Sequence, residues 1–201
     1  MKKYELTAEF IEKWGKKLFR IKALISFGSV EAGELGGYIE KEDNLAHDGN
    51  AWVSGDARVS GNARVSGNAW VYGDAEVYGN ARVSGNARVS GDAEVSGNAR
   101  VSGDARVYGD AEVSGNADYL LIGRIGSRFS FTTFFKNKDK GITVSCGCFL
   151  GTIAEFRAKV TDTHGNNKHA KIYNLAADMA ELQILGEEHF DKLNTNKSES
   201  F

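Results

Sequence analysis

The side chains best suited to chemistry lie in the last third of the chain. Cys146-Gly147-Cys148, taken with His164 and His169, offers four donors of the kind that hold zinc. The single residue between the cysteines is tighter than the roughly two to four usual in zinc sites. On a strand both thiols would face one side, which suits a pair of small core residues equally well, so no metal is assigned. No base stands beside Cys146 in the sequence to make it a nucleophile. Gly123-Arg124-Ile125-Gly126-Ser127-Arg128 has the makings of a turn at a strand end. There Arg124, Ser127 and Arg128 can meet a small anion, although the Gly-rich phosphate motifs are absent. Asp56, Asp74, Asp92 and Asp110 recur at one spacing and form a column that can attract a cation or a cationic partner. The Gly-Gly-x-Gly-x-Asp coil that binds calcium is missing, and a solvated edge that limits aggregation is the plainer role. His47 is the one histidine near these acids. No catalytic constellation follows from these residues.

What must position them is a repeat. From Ala51 to Ala117 the phrase Ala-x-Val-Ser/Tyr-Gly-Asn/Asp runs eleven times without a gap. A unit this short buries its valine only by stacking on copies of itself. Ala-x-Val alternates buried and exposed positions, the strand period, and Val favours a strand. Gly-Asn/Asp is turn chemistry. A second period excludes a flat meander. The Asp of the column falls at every third unit, while Asn holds 62, 80, 98 and 116. Glu occupies the exposed position at 76, 94 and 112, and Arg at 64, 82 and 100. Three units therefore close one turn of a triangular prism, with valines filling the lumen and alanines near the corners. Counting Leu45-Ala46-His47-Asp48-Gly49-Asn50 as a degenerate first unit gives about four coils and puts His47 at a valine position, where it points into the end of the lumen or marks the cap.

The three outer faces then differ. The first carries Trp52, Trp70, Arg88 and Arg106 beside Tyr72 and Tyr108. The second carries Arg58, Glu76, Glu94 and Glu112, and the third the Arg64, Arg82, Arg100 ladder. Exposed Trp and Tyr beside Arg are what protein interfaces enrich. Trp52, Trp70, Tyr72, Arg88, Arg106 and Tyr108 are thus the expected protein-contact residues.

The phrase resembles the hexapeptide repeat of left-handed parallel β-helix proteins, in which an aliphatic residue is followed four residues later by a small one, as in Val53-Ser54-Gly55-Asp56-Ala57. The resemblance covers a third of the chain and implies the left-handed sense, which periodicity does not show. Members of that family are best known as acyltransferases, usually trimers with a catalytic His and a groove between coils. Here no His and no extruded loop interrupts the units from Ala51 onward. The lead-in Gly33-Glu34-Leu35-Gly36-Gly37-Tyr38-Ile39-Glu40 and the tail that runs from Gly123 to Cys146-Gly147-Cys148-Phe149 are similar to proteins of bacteriophage and prophage genomes. That likeness implies a setting, the host cytoplasm, and no activity.

The flanks read as caps and a separate module. Residues 1–44 predict an N-terminal β cap, with strands at Tyr4-Glu5-Leu6-Thr7 and Leu18 to Leu24 and a turn near Gly15. The solenoid spans 45–118. Residues 119–190 predict a small α+β domain, with strands at 119–123, 129–135 and 141–148. A capping box at Thr152 and Glu155 opens a helix whose apolar stripe is Phe149, Ile153, Phe156 and Val160. A second helix follows from about Asn167 to Ala180. Residues 191–201 predict a disordered tail. The fold class is mainly β: a left-handed parallel β-helix with these two flanking modules.

Composition narrows the function. The net charge of −2 gives no case for a nucleic-acid binder. No apolar run approaches a membrane span and no signal peptide opens the chain, so the expected location is cytoplasmic. Two cysteines make no disulfide framework. The absence of proline, with Gly in every unit of six, excludes collagen. The expected function is a non-enzymatic binding or scaffold protein. It would contact a protein or assemble as a dimer or trimer, with no cofactor and a small anionic ligand as an option. The alternatives are a hexapeptide-type acyltransferase or its degenerate relative, and a protein that sequesters a nucleotide-like molecule.

Overall fold

The computed structural model describes residues 1–188. The expected tail at 191–201 lies outside them. The chain divides into two compact units, Met1–Asn116 and a second that begins at Ala117.

The first unit is a parallel β-solenoid of about four coils. Each repeat contributes one short strand, and each strand pairs in parallel with the strand three repeats further on. Face 1 stacks β4 (Trp52–Val53), β7 (Trp70–Val71), β10 (Arg88–Val89) and β13 (Arg106–Val107). Face 3 stacks β6 (Arg64–Val65), β9 (Arg82–Val83) and β12 (Arg100–Val101). Face 2 stacks β5 (Arg58–Val59), β8 (Glu76–Val77), β11 (Glu94–Val95) and β14 (Glu112–Val113). The repeat valines from Val53 to Val113 and the repeat alanines from Ala51 to Ala111 are all buried. Each valine removed from water contributes about 1.5–3 kcal/mol, which is why so short a repeat holds together once stacked. Two of the three corners carry amide ladders. Asn62 donates to Asn80 and Asn80 to Asn98, while Asn50, Asn68 and Asn86 run down to Asp104.

The N-terminal strands continue face 2 instead of standing apart from it. β1 (Tyr4–Lys13) and β2 (Lys16–Ala23) form a hairpin turned at Trp14-Gly15. β2 pairs antiparallel with β3 (Leu35–Ile39), and β3 pairs in parallel with β5. The register there is longer than a regular coil: Ile39 opposes Val59 and Leu45 opposes Val65, whereas Val59 opposes Val77. The extra chain falls between Ala46 and Gly49, since Asn50 already bonds Gly67 in the ordinary register. This decides between the two expected places of His47 in favour of the cap. Leu45 fills the lumen, and His47 bulges from the corner to stack on Tyr4 at 4.4 Å.

The cap works by satisfying polar groups that the first coil leaves open. The buried Lys3 ammonium donates to the carbonyls of Ala51 (2.8 Å) and Gly49 (3.3 Å). The Tyr4 hydroxyl shares its proton between the carbonyls of Glu42 and Leu45. Asn44 Nδ2 reaches the carbonyls of Gly61 and Ala63. The Glu40 carboxylate accepts the Gly61 N–H at 2.6 Å.

The second unit is an antiparallel sheet of β15 (Tyr119–Ile125), β16 (Ser130–Lys136), β17 (Ile142–Cys146) and β18 (Phe149–Thr152), with α1 (Ile153–His164) and α2 (Lys168–Leu185). Phe134, Val144, Phe156, Tyr173 and Ala177 are the centre of its core. Thr152 caps α1 and Glu155 closes the capping box, as its spacing predicts. Two expectations change. β17 stops at Cys146, because Gly147, at φ 62°, and Cys148 turn the chain into a fourth strand. Phe149 therefore belongs to β18, and the helical stripe starts at Ile153. α2 also runs on from its Asn167 cap, past Ala180, to Leu185.

Candidate functional site

Face 1 is where the expected contact residues meet, with one exception. Trp52 is wholly buried. Phe27 and Tyr4 meet its ring edge-on at 5.4 and 6.4 Å, and Gly36 has no side chain because a Cβ there would lie 2.7 Å from the indole. Trp52 is thus a core residue of the cap and not a contact residue. The coil places the other five together on one flat surface. Trp70 and Tyr72, both half-buried, meet edge-on at 6.5 Å. Tyr72 and Tyr108 lie two coils apart on this face, near enough for their hydroxyls to interact. Ser90, on the coil between them, is buried. Burial first, and then the Tyr72 hydroxyl, raise the Tyr108 pKa above the ordinary tyrosine value. Arg88 and Arg106 are exposed along the same face, stacked below Trp70. Parallel pairing from coil to coil fixes the backbone that carries these side chains, so their spacing is preformed.

Face 2 is less acidic than its column of glutamates implies. Glu76 bonds Arg58 at 3.1 Å and Lys13 from the hairpin, and is largely covered. Glu94 accepts from the Tyr78 hydroxyl at 3.2 Å. On face 3 the Arg64, Arg82 and Arg100 ladder is exposed. The Asp column is exposed at 56, 74, 92 and 110, and no group of three or more His, Cys, Asp or Glu among the described residues could hold a metal ion.

In the second unit the structure joins two motifs far apart in sequence. The Gly126–Phe129 turn between β15 and β16 and the Gly147-Cys148 turn lie at the same end of the sheet. Tyr173 of α2 links them: Gly126 packs directly on its hydroxyl, which interacts with the Cys146 thiol. Thr132 Oγ1 donates to the same sulfur at 3.2 Å. Burial and the thiol push the Tyr173 pKa up to about 12. Arg124, Ser127 and Arg128 are exposed there. His164 stacks on the Tyr173 ring at 5.8 Å, with His169 beside it. Cys146 is thus a half-buried thiol, hydrogen-bonded at the edge of the core, and Cys148 is exposed at the turn.

Sequence reasoning passed over two features. Leu175, Met179 and Leu182 form an exposed stripe on α2, and their helical spacing was a signal. Trp14 at the hairpin tip is also exposed, and no pattern in its neighbours marked it.

The comparisons with known proteins bear on the coil. Residues 57–73, 75–91, 81–97 and 93–109 match the model of the YdcK β-solenoid repeat. The coil is similar to that repeat. The matches that begin at Ala57, Ala75 and Ala93 are spaced by one whole coil and open on the same face, and the one that begins at Ala81 is offset by a single unit. No curated protein matches the chain. No helix among the described residues is long and apolar enough to cross a membrane.

Proposed function

We propose that this chain is a non-enzymatic binding protein whose solenoid presents face 1 to a protein partner. The observation that carries the reading is the joining of Trp70, Tyr72 and Tyr108 into one preformed aromatic surface along the column of Arg88 and Arg106. Rigid aromatics and arginines are the residues on which interface energy concentrates, and a preformed surface loses little entropy on binding. The exposed arginines favour a partner with an acidic surface. The likeness of the lead-in and tail to phage and prophage proteins adds a setting: a host protein in the host cytoplasm as the partner, and interference with it as the role. Assembly of the chain with itself, as a dimer or trimer, is the same reading with a second copy as partner.

The test is capture from lysate of the native host by the wild type and by a Trp70→Ser, Tyr72→Ser double variant, with the mass of each assembly measured. The reading expects one stoichiometric species, a defined protein or a second copy, that the variant loses while its circular dichroism is unchanged. A variant that retains the whole assembly overturns the assignment of face 1.

A further inference from the structure

The tip of the N-terminal hairpin builds a second site, away from face 1. Lys13-Trp14-Gly15-Lys16 is a tight turn in which Trp14 (φ 52°) and Gly15 (φ 72°) are both left-handed. A turn of this kind favours Asn, Asp or Gly at its first central position. An ordinary L-residue there costs about 1–2 kcal/mol. Trp14 leaves more than half of its surface, 57%, exposed, and the neighbours its ring meets are Lys13 and Tyr78. A strained residue at a tip, with most of its surface open to solvent, points to use outside the fold.

The ring stands over a groove of about 640 Å³, the size of a small-ligand site. Its walls are Trp14, Tyr78, Glu94, Lys16 and the first two amides of the corner ladder, Asn62 and Asn80. The Trp14 and Tyr78 rings lie 5.6 Å apart at 48°, forming one bent aromatic wall.

The charges select the class of ligand. Lys16 is held by Glu40 at 2.9 Å, Lys41 donates to Asn62 at 3.2 Å, and Glu94 also lines the groove, so two cations and two carboxylates offer an anion no net attraction. A cationic ligand is opposed as well, because Lys13 already lies over the Trp14 ring at 4.3 Å. What remains suits a neutral molecule with an apolar face for the rings and many hydroxyls for amides and a carboxylate. That is a saccharide. The amides of Asn62 and Asn80 repeat at the strand spacing of about 4.8 Å, comparable with one sugar unit of an extended chain.

We infer that this groove binds an uncharged, extended oligosaccharide, with its apolar faces on Trp14 and Tyr78 and its hydroxyls on the asparagine ladder. The test is saturation-transfer NMR of the full chain with cellotetraose, tetra-N-acetylchitotetraose and maltotetraose as probes. One of the two extended, β-linked probes should bind, and the coiled maltotetraose at least about tenfold more weakly. Trp14→Asn, which supplies a residue the turn prefers, should fold and abolish the signal. The face 1 double variant should keep it, so failure here and failure of the protein-contact reading are separable. No binding by any probe, binding that survives Trp14→Asn, or equal binding of maltotetraose overturns the inference.

Discussion

At the scale of single residues, the two flanks of the first coil decide matters that the repeat leaves open. Lys3 is buried, and burial brings its pKa down from the ordinary 10.5 to about 8. Between those values the unfolded chain holds a proton that the folded chain lacks, so stability rises as pH climbs from about 8 to 10.5. Below that window the buried cation is a cost, offset by its bonds to the Gly49 and Ala51 carbonyls. Lys3→Met removes this titration. Urea midpoints at about pH 7.5 and about pH 9.5 should show the wild type gaining on the variant at the higher pH. A constant difference would show that Lys3 titrates normally. Trp52 and Trp70 make the complementary case. Both sit in the same phrase, Asn-Ala-Trp-Val, yet only Trp52 lies under Phe27 and Tyr4. Trp52→Ala should cost about 3–5 kcal/mol and Trp70→Ala clearly less, by equilibrium denaturation. Similar losses would mean the cap does not seal the coil. The sequence could not separate the two, because the rings that bury Trp52 come from the cap, far upstream of the repeat.

At the scale of elements, legibility followed locality. The three-unit beat revealed the faces because it is written in side chains that stack on their own copies. The capping box at Thr152 and Glu155 was legible for the same reason. β18 was hidden: Phe149 and Ile153 are spaced like a helical pair, so only the turn at Gly147 shows that the first lies on a strand. The insertion at His47-Asp48 was hidden too, because Leu45 and His47 are each able to fill a lumen and tertiary pairing chooses between them. Corner geometry gives a prediction at this scale. Gly85 and Gly109 are both left-handed, at φ 67° and 65°. A Cβ on Gly85 would lie 2.8 Å from the Gly103 nitrogen one coil on, whereas one on Gly109 meets nothing within 4 Å. Gly109→Ala should cost the backbone strain alone, about 1–2 kcal/mol, and Gly85→Ala measurably more, because backbone must move. Equal melting temperatures for the two variants would show that adjacent coils yield freely at their corners.

At the scale of the molecule, the solenoid separates what makes it fold from what makes its faces distinct. Lumen valines recur in every unit and face residues in every third, so the two can be uncoupled by deletion. Removing Ala81–Asn98 takes out one whole coil. Arg100 then stacks where Arg82 was, Arg106 where Arg88 was and Glu112 where Glu94 was, and every face keeps its character. Removing only Ala81–Asn86 keeps the valine stack but turns all later residues by one face. Arg100 then takes the place of Glu94 beneath Tyr78, and Glu94 and Glu112 enter the Trp70 face in place of Arg88 and Arg106. In a stack whose stability sums over nearest neighbours, the larger deletion should lose more if the lumen were all that counted. The expected result is the reverse: both variants keep the β signature by circular dichroism, but the single-unit deletion melts lower and loses the face 1 partner. If the single-unit deletion is the more stable and still binds, the unequal faces contribute neither stability nor recognition, and the valine lumen alone accounts for the coil.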